Sequence, residues 1–411
     1  MNKQKKKLPL AMQIFIALIL AIVVGLLIQS HATFAENYIK PFGTIFLNLL
    51  KFIVVPIVLF SIMCGIISMR DIKKVGAIGL KTVVYYMCTT AFAITFGLIG
   101  ANMFKGAFPK IATTDLSYKA DQTISLMDTI VNIFPSNFVS PMVEANMLQV
   151  IVTALILGFG IILLGEGERN TRLVTACNDL NDVFMKCMEM ILKLSPIGVF
   201  CLLCPVIAAN GPAIIGSLAM VLLAAYICYI VHALVVYSLT VRTLGGMSPV
   251  KFFKGMLPAI MFAFSSASSV GTLPINLECT EKLGAKREIA SFVLPLGATI
   301  NMDGTAIYQG VCAIFIASCY GIQLTLPQML TIVLTATLAS IGTAGVPGAG
   351  MVMLAMVLTS VGLPVDGIAL VAGVDRIFDM GRTTVNITGD AACTMVVSNL
   401  EAKKEARRAA K

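Results

Sequence analysis

Apolar runs close to 20 residues long recur from one end of the chain to the other, and about 20 apolar residues is the length a helix needs to cross a bilayer core. The chain is therefore expected to be an all-α polytopic membrane protein embedded in a lipid bilayer. Composition agrees, with 58% of the 411 residues hydrophobic and only 12% charged, against about 25% charged in soluble domains. The net charge of +9 does not point to nucleic acid, because much of the excess sits in KQKKK at residues 3–7 and KKEARRAAK at 403–411. Basic clusters beside membrane spans mark cytoplasmic segments. Both termini are expected in the cytoplasm, on the inner side of the plasma (inner) membrane, with an even number of full spans.

In chain order, residues 9–29 and 43–68 are the first two apolar segments. The first lacks a convincing small-residue cleavage site and reads as helix one, not as a signal peptide. Arg70, Lys73, Lys74 and Lys81 then mark a cytoplasmic loop. A third span over 82–104 holds Tyr85, Tyr86, Thr89 and Thr90 close together, either as oxygen ligands or as aromatic packing with hydroxyls bonded back to the helix. Residues 105–145 are polar and expected outside. Segments 147–165, 183–209 and 213–242 supply spans four to six, and Arg242, Lys251 and Lys254 return the chain to the inside. The eleven cysteines sit almost entirely in apolar segments and imply no disulfide framework. Cys201 and Cys204 lack a second cysteine pair, and His31 and His232 stand too isolated to suggest a metal centre.

The segment after span six is unlike an ordinary span. Residues 255–277 consist of two apolar arms of about ten residues around the Ser-rich centre SSASSVG, each arm too short to cross, and basic residues flank both ends. A re-entrant hairpin fits; one broken spanning helix is the alternative. Residues 289–320 form a full span interrupted by PLGATINMDGT, where helix-breaking residues sit beside Asp303. Freed carbonyls next to a carboxylate make an oxygen-rich site of the kind hard cations such as Na⁺ favour, unless the break is a structural kink. Residues 328–364 repeat the hairpin design around SIGTAGVPGAG, entering from the outside. Two halves, each with a hairpin and then a polar or broken helix, entering from opposite faces, form the pattern of an inverted repeat with its site at the midplane.

The last membrane stretch, 366–400, carries Asp375, Asp379, Arg382, Asn386 and Asp390 at relative positions 0, 4, 7, 11 and 15. At about 100° per residue they fall within roughly an 80° arc of one helix face. Each charge at membrane depth costs on the order of 2.5 to 3.5 kcal/mol even on lenient scales, so such a stripe faces a bundle interior, water or a ligand. It reads as one wall of a site.

SSASSVGTLP, PLGATINMDGT, SIGTAGVPGAG and DMGRTTVNITGD, in that order, resemble the four signature stretches of the dicarboxylate/amino acid:cation symporter family, which includes the excitatory amino acid transporters and archaeal sodium-aspartate symporters. The resemblance covers nearly the whole chain. It implies eight transmembrane helices plus two re-entrant helical hairpins, inverted repeats and an elevator-type transporter assembled as a homotrimer. Residues 1–81 and 105–212 would form the scaffold, and 82–104 and 213–411 the transport domain. The function implied is sodium-coupled symport of an acidic amino acid, aspartate or glutamate, with neutral amino acids or C4-dicarboxylates as the alternative cargo. No catalytic residues are expected.

By motif position the resemblance places the substrate pocket at Ser268, Ser269, Thr305, Val346, Gly350, Asp379, Arg382, Thr383 and Asn386. It places sodium ions at Tyr86, Thr89, Thr90, Asn301, Asp303, Asn386 and Asp390, with carbonyls of Gly297, Thr299, Ser340, Ile341 and Thr343 and the sulfur of Met302. Chemistry supports the pocket independently, since arginine pairs bidentately with a carboxylate and Asp379, one turn away, can accept from an ammonium. Four acids in these segments against Arg376 and Arg382 leave an excess of two negative charges for cations to offset. Two positions depart from relatives: Ala267 and Met380 stand where archaeal and animal members respectively carry an arginine, and Arg376, one turn before Met380, can replace that charge. Gln309 replaces the proton-carrying glutamate of animal members. An intramembrane aspartyl protease using Asp303 and Asp390 would leave Arg382 and both hairpins unexplained, and a channel would predict non-saturating flux.

Overall fold

The computed structural model describes residues 10–68, 77–108, 131, 134–144, 146–165, 167–211, 213–340 and 349–409. They are overwhelmingly helical, with no strand among them. The longer helices are α1 (Leu10–Leu27), α2 (Lys40–Ser68), α3 (Ala77–Phe104), α4 (Met147–Leu163), α5 (Glu168–Leu192), α6 (Ser195–Asn210) and α7 (Ala213–His232). After them come α8 (Pro249–Ser266), α9 (Ser269–Leu283), α10 (Arg287–Ile300), α11 (Asp303–Cys319), α12 (Leu326–Ala339), α13 (Ala349–Ser360) and α14 (Asp375–Ala409).

Three stretches, Ile78–Ala107, Gly216–Thr243 and Arg287–Cys319, are individually long and apolar enough to cross a membrane, and two bent pairs pass that test together. One pair joins Met12–Leu27 to Gln29–Phe46 at 77°, the other Glu168–Ile191 to Ser195–Ala209 at 52°. The second bend corrects the expected span 183–209: α5 begins back at Glu168, where an i,i+4 Glu168–Arg172 pair supports its first turn, and the chain breaks at residues 193–194. Pro196 at the start of α6 explains the break, because proline lacks the N–H that would continue the preceding helix.

The first hairpin also differs from its sequence outline. Its arms are 18 and 15 residues long, not about ten, since α8 starts in the basic segment at Pro249 and α9 runs on through Glu278 and Lys282, which pair at 2.6 Å. Pro249 in its first turn lets α8 begin early, and the exposed i,i+4 pair supports α9 beyond the apolar run. The tip is where the residues demanded it: Ala267 takes a left-handed conformation (φ 51°) and Ser268 caps α9 by accepting from Gly271 N at 3.1 Å. The arms of the second hairpin, α12 and α13, have 14 and 12 residues, each too short to cross alone.

Two groups of helices pack internally. In one, α1 lies on α6, and α2 on α4, α5 and α6. In the other, α11 sits against α3, α7, α13 and α14, while α8, α9 and α10 pack on α14. The second hairpin also touches α2 and α4. The interrupted span α10–α11 is the innermost: 94% of its most apolar window is buried inside the protein, against 39% for Ile78–Ala107 and 33% for Gly216–Thr243. The other two are left with broad apolar faces for lipid.

Without a hydrophobic force between helices in lipid, close approach depends on small residues. At Gly97 a Cβ would lie 2.7 Å from the Ile307 carbonyl oxygen and 3.0 Å from its Cα, and at Gly304 it would collide with the backbone of Arg382. Neither obstacle is a side chain that can rotate away. Gly97→Ala is therefore expected to cost about 1–3 kcal/mol by forcing α3 from α11, read as a lower midpoint of thermal unfolding in detergent; an unchanged midpoint would show that the two backbones are not in contact.

Candidate functional site

The interruption between α10 and α11 creates the site. Asn301 and Met302 leave helical geometry (φ/ψ −92/101 and −122/44), so α11 opens at Asp303 with the N–H of Gly304 turned towards Asn386 on α14. An acid at a helix N-terminus is favoured by the helix dipole. The same device recurs in the last span, where the chain breaks at Gly373–Val374 and α14 opens at Asp375. The stripe expected over 366–400 is thus carried by one helix beginning at its first acid.

Four donors surround the buried Asp303 carboxylate. Thr90 Oγ1 donates to Oδ1 at 2.7 Å and Thr89 Oγ1 at 3.3 Å; Tyr237 OH donates to Oδ2 at 2.8 Å, and His232 Nε2 lies 3.2 Å from the same oxygen. An ionised carboxylate only accepts, so His232 bonds there as a donor. His232 and Tyr237 are five residues apart, which an α-helix would set about 140° apart. Instead the chain between them forms an i→i+5 turn over Ala233–Tyr237, and this brings both onto one oxygen.

Next to it, Asn301 Nδ2 donates to Asp390 Oδ1 at 2.8 Å and to the Asn386 carbonyl at 3.0 Å, while its own Oδ1 is buried without a partner. Gly297 leaves room for both Asp390 Oδ1 and Tyr86 OH, since a Cβ there would collide with them, and Tyr86 OH donates to Val293 O at 3.1 Å. Buried acceptors that lack donors are what a hard cation takes as ligands. Among the described residues no three His, Cys, Asp or Glu side chains gather as metal ligands; the orphaned Asn301 Oδ1 beside the Asp390 carboxylate is an oxygen donor set of the kind a hard cation takes.

One turn along α14 lies the second half of the site. Arg382, 2% exposed, donates from Nε to Asp379 Oδ1 at 2.8 Å and from Nη1 to Asp375 Oδ1 at 3.0 Å, with its guanidinium 4.8 Å above the centre of the Tyr308 ring. Thr383 Oγ1 is 3.5 Å from Asp379 Oδ1. Gly350 leaves room for this guanidinium, since a Cβ there would collide with it. Asn386 joins the two halves: its Oδ1 accepts from Gly304 N at 2.7 Å, and its Nδ2 lies 3.3 Å from the Met302 sulfur and 3.4 Å from Thr305 Oγ1.

The structure thus brings together Tyr86, Thr89, Thr90, Gly297, Asn301, Met302, Asp303, Asn386 and Asp390, and beside them Thr305, Gly350, Asp379, Arg382 and Thr383. Ser268 caps the hairpin tip and Ser269 is buried beside it. Thr299 and Ser340 turn their hydroxyls onto the carbonyls of Leu296 and Thr337 in their own helices. Ile341, Thr343 and Val346 lie outside the described residues. Sequence reasoning places Asp375 in the polar stripe that walls the site but assigns no role to Tyr308, His232 or Tyr237, all of which the structure places there. Asp375 belongs to the acidic stripe but matches no position of the implied pocket. His232 is isolated along the chain and not in space; an ionisable residue in mid-span is the available signal.

A family model described as the sodium:dicarboxylate symporter family matches residues 10–400. Over 418 residues the chain is 37% identical to a proton/glutamate-aspartate symporter of Escherichia coli (strain K12), covering 98% of this chain and 95% of that protein. It is 35% identical over 404 residues to a proton/sodium-glutamate symport protein of Bacillus subtilis (strain 168), with 96% and 93% covered. To excitatory amino acid transporter 2 of Rattus norvegicus it is 33% identical over 459 residues, with 97% and 80% covered.

The Arg382 arrangement generates a stability prediction. Asp375→Asn removes one of two carboxylates from a buried guanidinium and is expected to cost about 1.5–3 kcal/mol, the range for hydrogen bonds to charged groups. Thermal unfolding in detergent checks it; a midpoint equal to wild type would mean that Asp375 does not hold Arg382.

Proposed function

Because the chain belongs to the sodium:dicarboxylate symporter family, we propose that it is a membrane-embedded carrier performing cation-coupled symport of an acidic amino acid, with sodium as the coupling ion. The observation that carries this reading is the buried Arg382 between Asp375 and Asp379, one turn from an oxygen cluster with an orphaned acceptor. Aspartate or glutamate matches both ends of that arrangement. Its side-chain carboxylate would take the guanidinium fork, and its ammonium would take Asp379 in place of Arg382. Thr383, Asn386, Thr305 and the hairpin tip serines Ser268 and Ser269 supply the remaining polar contacts.

Sodium would enter as cargo, at Asp303 with Thr89 and Thr90 and at Asp390 with Asn301 and Asn386. Four acids against two arginines leave two negative charges, which bound cations offset on a path through hydrocarbon. The relatives' names include both proton and sodium symport, and the oxygen donor set supports sodium here. We further propose an elevator-type homotrimer in the plasma (inner) membrane with eight full spans, two re-entrant hairpins and cytoplasmic termini. The group of helices containing α1, α2 and α4–α6 would be the static scaffold, and the group built around α11 and α14 the moving transport domain. The second hairpin would be the external gate.

Purified protein in liposomes, given labelled aspartate, serine or succinate with and without a sodium gradient, tests the reading. Saturable aspartate uptake that needs sodium is expected; sodium-independent uptake would remove sodium as the coupling ion, and a preference for serine or succinate would replace the acidic cargo. Arg382→Cys should cost about 2 to 5 kcal/mol of substrate binding, the cost of truncating one partner of a desolvated charge pair. At about 1.4 kcal/mol per factor of ten this is on the order of 30-fold to several thousand-fold in aspartate affinity. Asp303→Asn should weaken sodium and aspartate binding together, because linked ligands share one coupling free energy.

A further inference from the structure

Arg376 enters the proposed function only as a charge, and its own contacts are left unassigned there. It is the second residue of α14, and its side chain is 23% exposed. From Nη2 it donates to the carbonyl of Ser266 at 3.1 Å and to that of Ser265 at 3.4 Å, while Nη1 lies 3.9 Å from Asp379 Oδ2. The two carbonyls belong to the last turn of α8, where the helical ladder stops because the chain turns left-handed at Ala267. A guanidinium at a helix C-terminus satisfies such orphan acceptors and also meets the negative end of the helix dipole. Its planar fork presents Nη2 to the two carbonyls while Nη1 faces Asp379, a fixed geometry that a point-charge ammonium does not reproduce. Ser266 Oγ, at the same tip, is buried with no hydrogen-bond partner.

We propose that Arg376 is a positioning residue that clamps the tip of the first hairpin to α14 and turns Asp379 towards the substrate amine. Asp379 has a cation on each side, Arg382 Nε bonded to Oδ1 at 2.8 Å and Arg376 Nη1 in a longer ion pair with Oδ2 at 3.9 Å. When an ammonium displaces Arg382 from Oδ1, Arg376 keeps Oδ2 and so keeps the carboxylate in place. At the same time the clamp fixes Ser266 and Ser268 relative to that carboxylate. The inference rests on the amino acid reading of the pocket, so the wild-type protein is assayed alongside every variant.

The test uses the full chain in liposomes under a sodium gradient, with Arg376→Ala and Arg376→Lys. Labelled aspartate uptake gives KM and maximal rate. A Ser265→Cys background gives the alkylation rate at the hairpin tip, read on that peptide by mass spectrometry. Loss of bonds to a charged donor predicts a KM for aspartate raised roughly tenfold or more in Arg376→Ala, together with faster alkylation at position 265. Arg376→Lys keeps the charge but not the fork, so it should recover part of the KM change while alkylation stays fast. An Arg376→Ala protein with wild-type alkylation overturns the clamp, and one with wild-type KM overturns the positioning of Asp379. Should Arg376→Ala fail to fold, wild-type KM and alkylation in Arg376→Lys overturn both. Failure of wild-type aspartate uptake would instead overturn the amino acid reading.

Discussion

An ionised side chain withdrawn from water has to find opposite charge, donors or a bound ion, and each one left alone at membrane depth costs several kcal/mol. The centre of this protein is built to meet that requirement. Asp303 is satisfied by four donors from α3 and the α7 segment, and Arg382 by two carboxylates and a ring face. The backbone is shaped around the same need. Two spans break so that a helix starts at an acid, and one helix inserts an extra residue into a turn so that two side chains reach a single oxygen.

These local devices are possible because the interruption is buried. Irregular backbone is tolerated at membrane depth only inside protein or along a cavity, and the interrupted span is the most enclosed of the three long apolar stretches. Glycine at Gly97, Gly304 and Gly350 lets neighbouring helices and the Arg382 guanidinium approach without intervening side chains. Close packing and charge satisfaction are thus one arrangement. Moving α11 away from α14 would both open a void and take the Gly304 N–H away from Asn386 Oδ1.

The arrangement also gives linkage between ion and substrate a physical route. From Thr305 a chain of polar contacts runs through the Asn386 side chain to Gly304 N, and from the Asn386 carbonyl through Asn301 to Asp390. On the proposed assignment, a cation that reorients Asn301 would act on Asn386, the residue proposed to face the substrate. Coupling of this kind is reciprocal for binding, so whatever tightens the ion tightens the amino acid by the same factor.

Much of this is legible along the chain. Apolar run length dictates the helical class, the 3.6-residue period puts Asp375, Asp379, Arg382, Asn386 and Asp390 on one face, and serine and glycine clusters locate both hairpins. Those signals are local, since they depend on residues within a few turns of one another. The partners of Asp303 are not legible, because the i→i+5 turn shifts the helical phase and no composition around His232 announces it. Nor are the partners of Arg376, whose acceptors are backbone carbonyls 110 and 111 positions away and leave no mark in side-chain identity. Residue order alone dictates which side chains carry charge and on which face of their own helix. Which face meets which is settled only in three dimensions, because it depends on helix rotation and close approach set by packing between distant segments.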